Sequence, residues 1–383
     1  MKREIFIVAA KRSPFARFLG ALSRCSSVEL ACHAGEAALG DLDRSQIDQV
    51  IVGNVLSAGA GMNIARQVGV KLDLPISTPA FTINMMCASG IQAIALGVQA
   101  IQAEQAEVVL CGGTESMSNA PHLLQRLRSG IKFGDGKLID SLLQDGLVDT
   151  FGNGHMALTA ETLAREFTIT REEQDQFAAM SQSRYAKADG VGIFSDEIAP
   201  HAKLQKDEHP RPETSVEILA NLSPAFDPKG SVTAGNASGV NDGAAMLLLA
   251  SREAVEKNNW PTLAKIDGTA SVGCDPARMG IGPVHAIRKL LALSGKNLSD
   301  YQQIEINEAF AAQALACTRG LEIDATDINP HGGAIAMGHP VGASGARLAT
   351  HLAHQIASKR IDSGIASLCV GGGMGSAVAL VAS

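Results

Sequence analysis

The chain has 383 residues, of which 46% are hydrophobic and 19% charged, and a formal net charge of −7. That length exceeds what one hydrophobic core usually serves, so two or three compact units are expected. The acidic balance excludes a nucleic-acid binder, which needs excess Lys and Arg to displace counterions, so any anionic ligand must meet local basic residues and backbone amides.

In chain order, residues 5–10 form a short apolar run between charged flanks. It is too short for a signal-peptide core and predicts a first strand in a cytoplasmic protein. Val50-Ile51-Val52-Gly53-Asn54 predicts a second strand. Cys87-Ala88-Ser89-Gly90 then opens a helix over 91–101, apolar on nearly all faces, as expected for a helix held between layers. Another strand follows in Val108-Val109-Leu110-Cys111-Gly112-Gly113. From about 117 to 240 the character changes: charged helical stretches such as Arg171-Glu172-Glu173-Gln174-Asp175 alternate with turns such as Asp207-Glu208-His209-Pro210-Arg211-Pro212. This reads as an inserted, more exposed subdomain suited to substrate contacts.

Beyond it the first pattern returns. Ile304-Glu305-Ile306-Asn307 matches the strand ending in Asn54, Gly342-Ala343-Ser344-Gly345 opens a helix over 346–356, and Ala366-Ser367-Leu368-Cys369-Val370-Gly371-Gly372 matches the strand at Cys111. The Asn-to-turn spacings are 33 and 35 residues, and the turn-to-Cys spacings 24 and 27. Three landmarks in the same order imply two related α/β halves, each a sheet with a buried central helix. Residues 363–383 carry no charge and are long enough to cross a bilayer, but Gly371-Gly372-Gly373 and Gly375 interrupt them. Two buried strands joined by a glycine turn are expected, with no membrane span.

Seven cysteines (Cys25, Cys32, Cys87, Cys111, Cys274, Cys317 and Cys369) form no CxxC pair, so neither zinc ribbons nor a disulfide framework is indicated. Cys87 at a helix start could be a thiolate stabilised by free N–H groups, or simply a small residue that lets the helix pack closely. The run Asn329-Pro330-His331-Gly332-Gly333-Ala334-Ile335-Ala336-Met337-Gly338-His339-Pro340 has too many glycines for a helix or strand and reads as a loop close to a ligand. It presents His339 as a base, a hydrogen-bond donor, or a loop histidine bonded to backbone. Asn307 could position a water or cap a turn, and Cys369 could be an acid/base or a core cysteine. Together, a thiol nucleophile, a histidine, a second thiol and an oxyanion-binding glycine loop suit acyl transfer through a covalent thioester.

These stretches resemble the thiolase family over essentially the whole chain: Asn84-Met85-Met86-Cys87-Ala88-Ser89-Gly90, Gly112-Gly113-Thr114-Glu115-Ser116-Met117-Ser118, Thr233-Ala234-Gly235-Asn236-Ala237-Ser238-Gly239, Asn307-Glu308-Ala309-Phe310, residues 333–345, and Cys369-Val370-Gly371-Gly372-Gly373-Met374-Gly375. The resemblance implies two duplicated βαβαβαββ domains in a five-layered fold with a loop domain inserted in the first. Carried onto this chain, that gives 1–116 plus 241–262 as the N-terminal half, 117–240 as the loop domain and 263–383 as the C-terminal half. It implies that Cys87 takes the acyl group, that His339 assists thiolate formation, and that Cys369 is the acid/base for the second substrate. One oxyanion hole would comprise His339 and a water held by Asn307; another would use the N–H groups of Cys87 and Gly371. Coenzyme A would lie along the loop domain, with Ser238 on the pantetheine and Arg211 near the phosphates. His155 and Met156 would line the thioester pocket, and Phe226, Met279 and Phe310 the tunnel. Without the resemblance, the apolar residues are core and Arg211 a solvated charge.

The segments Asn236-Ala237-Ser238-Gly239-Val240-Asn241-Asp242-Gly243 and Met279-Gly280-Ile281-Gly282-Pro283 look like the acetoacetyl-CoA-forming branch, an acetyl-CoA acetyltransferase. A degradative 3-ketoacyl-CoA thiolase of broader chain length is the alternative, and a non-catalytic acyl-CoA-binding relative a more distant one. Gly152-Asn153-Gly154, Ala157 and Asn329-Pro330-His331 depart from the family pattern, and the small residues near the pocket point to room for longer acyl chains. The resemblance further implies a homotetramer assembled through a segment near 123–140, with acyl-CoA and CoA as ligands and no metal or other cofactor.

Overall fold

Alternating and continuous apolar runs produce strands β1 (Ile5–Arg12), β2 (Ala16–Arg17), β3 (Gln49–Gly53), β4 (Ala80–Ile83), β5 (Val108–Ser116), β6 (His122–Leu124), β7 (Leu138–Asp140), β8 (Val148–Asp149), β9 (Gly154–His155), β10 (Asn241–Ser251), β11 (Ala264–Gly273), β12 (Gln303–Ile306), β13 (Ser363–Val370) and β14 (Met374–Val381). The structure is a computed structural model that describes residues 3–152 and 154–383. Asn153, the middle residue of one family departure, lies outside the described residues.

One sheet runs in the order β12-β13-β14-β11-β1-β10-β5-β3-β4, with β2 paired to β10. Read outward from its centre, β1, β10, β5 and β3 are mirrored by β11, β14, β13 and β12. The outer pairs are parallel in both halves (β3 with β5, β12 with β13), and the inner pairs antiparallel (β10 with β5, β14 with β13). The counterpart of β4 has shrunk to one parallel bridge, Ile304 to Ile328. The expected duplication is therefore present in the topology, but the two sheets are continuous. Phe6 and Ile7 of β1 pair with Lys265 and Ala264 of β11, so the inner edge strand of each half covers that of the other. The C-terminal strands β13 and β14 are fully paired across the expected glycine turn.

The helices Ser89–Gln102 and Ser344–Ala357 lie together at the centre. Ile91, Ile94, Leu348 and Leu352 are fully buried in one cluster with Ile51, Val109, Leu368 and Val378 from strands of both halves. The two helices touch backbone to backbone. A Cβ on Gly90 would lie 2.5 Å from the Ala346 nitrogen, and one on Gly345 2.8 Å from that of Ile91. Helices Ser27–Leu39 and Gly282–Ser294 cover the outer faces of the two halves.

The glycine-rich run after Asn329 departs from expectation in one respect: Ala334–Met337 forms a helical turn. Its glycines stand at the flanks, leaving four good helix formers between them. The inserted segment is fastened to β1 by the fully buried Arg12, whose guanidinium binds Glu197 at 2.7 Å and Asp207 at 2.7 and 2.9 Å. Among the described residues no helix is long and apolar enough to cross a membrane, and no cluster of His, Cys, Asp and Glu is placed to hold a metal ion.

The helix contact makes a direct prediction. Gly90→Ala should destabilise the protein by roughly 1–3 kcal/mol through overpacking, read as a lower denaturation midpoint, whereas Gly40→Ala, whose Cβ meets nothing within 4 Å, should cost only its left-handed backbone strain.

Candidate active site

Cys87 sits on a strained turn between β4 and the Ser89–Gln102 helix. Met86 has a φ of +47°, a left-handed conformation that a side chain disfavours. Polar contacts hold it there. The Met86 N–H donates to Asn84 Oδ1 at 2.9 Å, and the Ser89 hydroxyl accepts from Met85 N–H at 2.9 Å while donating to the Met86 carbonyl at 2.7 Å. The helix begins at Ser89, so the thiol lies just before its first turn.

The thiol opens on a cavity of about 310 Å³ whose wall is mainly apolar. Cys87, His339, Cys369 and Gly371 line it, together with His155, Met156, Phe226, Ser238, Met279 and Phe310. Ten of the twelve residues singled out from the sequence thus converge on one space. The other two stand beside it. Asn307 is fully buried, with Nδ2 3.5 Å from His339 Nε2. Arg211 is exposed in a separate cleft of about 340 Å³ that it shares with Arg17, His209 and Pro210; Val240 borders both spaces. At the cavity mouth the ring of Phe226 stacks on His155, centroids 4.3 Å apart. His155 Nδ1 caps the helix Met156–Glu166 by accepting the Ala157 N–H at 3.2 Å.

Burial dominates the electrostatics. It pushes the Cys87 thiol up to about 11, although the amides of Gly371 and of Cys87 itself pull the other way. The expected stabilisation of a thiolate by the helix start is therefore outweighed in the resting site by desolvation in the apolar cavity, although Cys87 itself is only partly buried. The same two amides are the pair expected as an oxyanion hole, and both face the sulfur. Burial also raises Cys369 well above the ordinary thiol value, helped by the neighbouring Cys87. His339 is lowered to about 4 by burial and then by Arg347. At neutral pH all three groups are uncharged.

The imidazole is oriented by partners that the sequence reading used only as landmarks or passed over. Ser344 Oγ lies 2.5 Å from His339 Nδ1 and donates its own proton to the Pro340 carbonyl at 2.9 Å. That network assigns the ring proton to Nδ1 and leaves Nε2 bare toward the cavity. The His339 N–H donates to Asn241 Oδ1 at 2.9 Å, with Gly338 packed against the same amide. The cavity wall also includes Met117 and Val341, which lie within quoted motifs but were given no role, and Leu142 and Leu147, which no motif marked. A usable signal existed for Glu115, a lone charge in an otherwise apolar strand run.

A thiol, a bare imidazole nitrogen and a second thiol around one apolar cavity are groups suited to acyl transfer. The chain belongs to the thiolase family: residues 5–253 match the model of the thiolase N-terminal domain and residues 260–382 that of the thiolase C-terminal domain. It is 47% identical to an acetyl-CoA acetyltransferase of Pseudomonas aeruginosa, with 99% of each chain covered. It is also 46% identical to the human mitochondrial 3-ketoacyl-CoA thiolase, with 98% of each covered. The crystal structure of that human enzyme in complex with CoA superposes with a TM-score of 0.97 at 46% identity, covering 100% of this chain and 98% of the other.

Removing the Nδ1 partner should expose its importance. Ser344→Ala leaves a buried ring nitrogen unpaired, a cost of about 1–3 kcal/mol, and should lower kcat roughly 10- to 100-fold while KM for the acyl-CoA changes little in steady-state kinetics.

Proposed function

We propose that this protein is an acetyl-CoA C-acetyltransferase, condensing two acetyl-CoA molecules reversibly to acetoacetyl-CoA and CoA. The observation that carries this reading is the meeting of Cys87, His339 and Cys369 in one small apolar cavity. In the first half-reaction the Cys87 proton passes to His339 Nε2 and the sulfur attacks the thioester carbonyl. The developing oxyanion is met by the Nε2–H just formed and by a water held at Asn307. Because burial makes the imidazolium strongly acidic, it readily protonates the departing CoA thiolate, leaving acetyl-Cys87. In the second half-reaction Cys369 first passes its own proton to the bare Nε2 of His339 and then, as thiolate, removes a proton from the methyl of a second acetyl-CoA. The resulting carbanion attacks acetyl-Cys87, whose carbonyl oxygen faces the amides of Cys87 and Gly371. Collapse releases the Cys87 thiolate, which takes the proton held on His339, while the proton drawn from the methyl leaves Cys369 a thiol again. Thiolysis is the reverse.

Ser238 on the cavity wall and Arg211 in the cleft beyond Val240 mark a course for pantetheine and then phosphates. That course follows the inserted segment 117–240, which we read as the loop domain between halves made of 1–116 with 241–262 and of 263–383. The β6–β7 hairpin projects Leu127, Ile131 and Phe133 into solvent. Such a patch suits the homotetramer. A cytoplasmic place fits the same reading.

One observation favours a second reading, cleavage of longer 3-ketoacyl-CoA. A cleft of about 650 Å³, lined by Asn84, Thr150 and Phe151, shares Met86, Met156 and Gly371 with the reactive cavity. The wall common to the two spaces thus consists, among the described residues, of two flexible methionine side chains and a residue without a side chain.

CoA-dependent cleavage of acetoacetyl-CoA and of a medium-chain 3-ketoacyl-CoA separates the readings. A strong preference for acetoacetyl-CoA is expected, and equal or faster medium-chain cleavage would transfer the protein to the degradative branch. Cys87→Ala should abolish both, and persistence of either activity in that variant would refute the thioester mechanism.

A further inference from the structure

Outside the groups used above, the most unusual feature near the cavity is a buried carboxyl with no cationic partner among the described residues. Glu115 is the penultimate residue of β5 and is completely buried. Its Oε1 accepts from Asn54 Nδ2 at 2.9 Å and Leu56 N–H at 3.1 Å, and its Oε2 accepts from Val55 N–H and Gly342 N–H, each at 3.0 Å. Three of these donors belong to the segment after β3, in the first half. The fourth belongs to the glycine-rich loop of the second half, three residues beyond His339. Glu115 therefore joins the two halves at the point where His339 is presented.

The other end of that loop is held in a similar way. Buried Glu308 accepts from Ile335 N–H at 3.1 Å and Asn329 Nδ2 at 2.8 Å, and Ser181, which donates to Glu308 at 2.6 Å, accepts the Gly333 N–H at 3.1 Å. Between the two carboxylates the loop is free to move only within what Asn241 and Ser344 allow. Gly342 and Gly333 must lack side chains for this arrangement, because a Cβ on either would strike Glu115 at 2.7 Å or Glu308 at 2.3 Å.

We propose that Glu115 is a positioning residue for the acyl-transfer step, its carboxylate fixing the His339 loop across the seam between halves so that Nε2 faces the Cys87 thiol. This rests on the reading of Cys87 and His339 as the reacting pair. Two properties follow. First, all four partners are donors, so a protonated Glu115 would set an O–H against an N–H and release one loop. Burial, helped by the facing charge of Asp242, has raised this carboxyl to about 7, although the N–H groups of Val55, Leu56 and Gly342 pull the other way. Activity should therefore fall as the pH drops through neutrality. The titratable groups facing it are Asp242 on the adjacent strand, held by Ser118, and Cys87. Secondly, the charge of Glu115 raises the Cys87 thiol. Removing the charge should make that thiol more nucleophilic while misplacing its base.

The test uses the full chain and the 3-ketoacyl-CoA it cleaves fastest, over about pH 5.5 to 9. Glu115→Gln keeps the volume and replaces two lone pairs by N–H bonds. It should lower kcat about 10- to 100-fold, leave KM within about threefold, abolish the acidic limb near neutrality, and speed alkylation of Cys87 by iodoacetamide. Glu115→Asp keeps the charge but not the reach, so its kcat should also fall without faster alkylation. Wild-type kcat and pH profile in Glu115→Gln would overturn the proposal, as would alkylation slowed together with turnover, the mark of a collapsed site. If that variant does not fold, Asn54→Leu decides. Loss of one donor should move the acidic limb to higher pH, and an unmoved limb would overturn the idea. Cleavage surviving in Cys87→Ala would remove the reacting pair itself; an inactive Cys87→Ala beside an unaffected Glu115→Gln would remove only the clamp.

Discussion

The site exists because two helices can touch without side chains between them. Gly90 and Gly345 bring the backbones of the central helices together, and each helix begins at the turn that carries the reactive group of its half. Cys87 precedes one helix by two residues, and His339 precedes the other by five. Backbone contact at the helix starts therefore converts two distant stretches of sequence into neighbours. The inserted segment does not create this meeting; it roofs it, with Leu142, Leu147, Phe226 and Ser238 enclosing the cavity from above.

Enclosure explains the resting charge state. Cys87, His339 and Cys369 are each shifted toward their neutral forms by loss of water, and no buried cation rescues the thiols. Charge must appear only transiently, when a bound thioester offers an oxygen to receive it and preformed donors to meet it. A site that kept a standing thiolate would need a permanent countercharge, which would stabilise the ground state as well as the transition state. On the proposed reading, the N–H groups of Cys87 and Gly371, which already face the sulfur, would cost no reorganisation when an oxyanion forms.

Much of this was legible in the sequence because duplication and motif both survive as local signals. The strand, turn, helix and cysteine landmarks at 54, 87 and 111 and at 307, 342 and 369 fall on corresponding elements, and the uncharged tail is the strand pair β13–β14. What could not be read depends on tertiary contact. Asn241 and Ser344 orient His339, yet one stands at a strand start and the other at a helix start, where such residues ordinarily cap. Leu142 and Leu147 wall the cavity from a segment with no periodicity. The Cys87 environment was misjudged because position at a helix start is visible in a sequence whereas depth of burial is not. The fusion of two sheets into one was equally hidden, since the β1–β11 pairing joins residues more than two hundred positions apart.

That pairing also orders the biosynthesis of the molecule. β1 leaves the ribosome long before its partners β10 and β11, because the whole inserted segment must be made before either appears. Residues 5–12 thus emerge as an apolar strand with both edges open, and the next strands in sequence, β2 and β3, do not pair with them. The first half cannot close its sheet as a nascent unit, and completing it requires contacts of very long sequence separation, which form slowly. Until β10 arrives, the growing chain exposes a strand whose sequence invites pairing with other chains, so the same continuity that stabilises the finished sheet makes its early synthesis the stage most dependent on protection from aggregation.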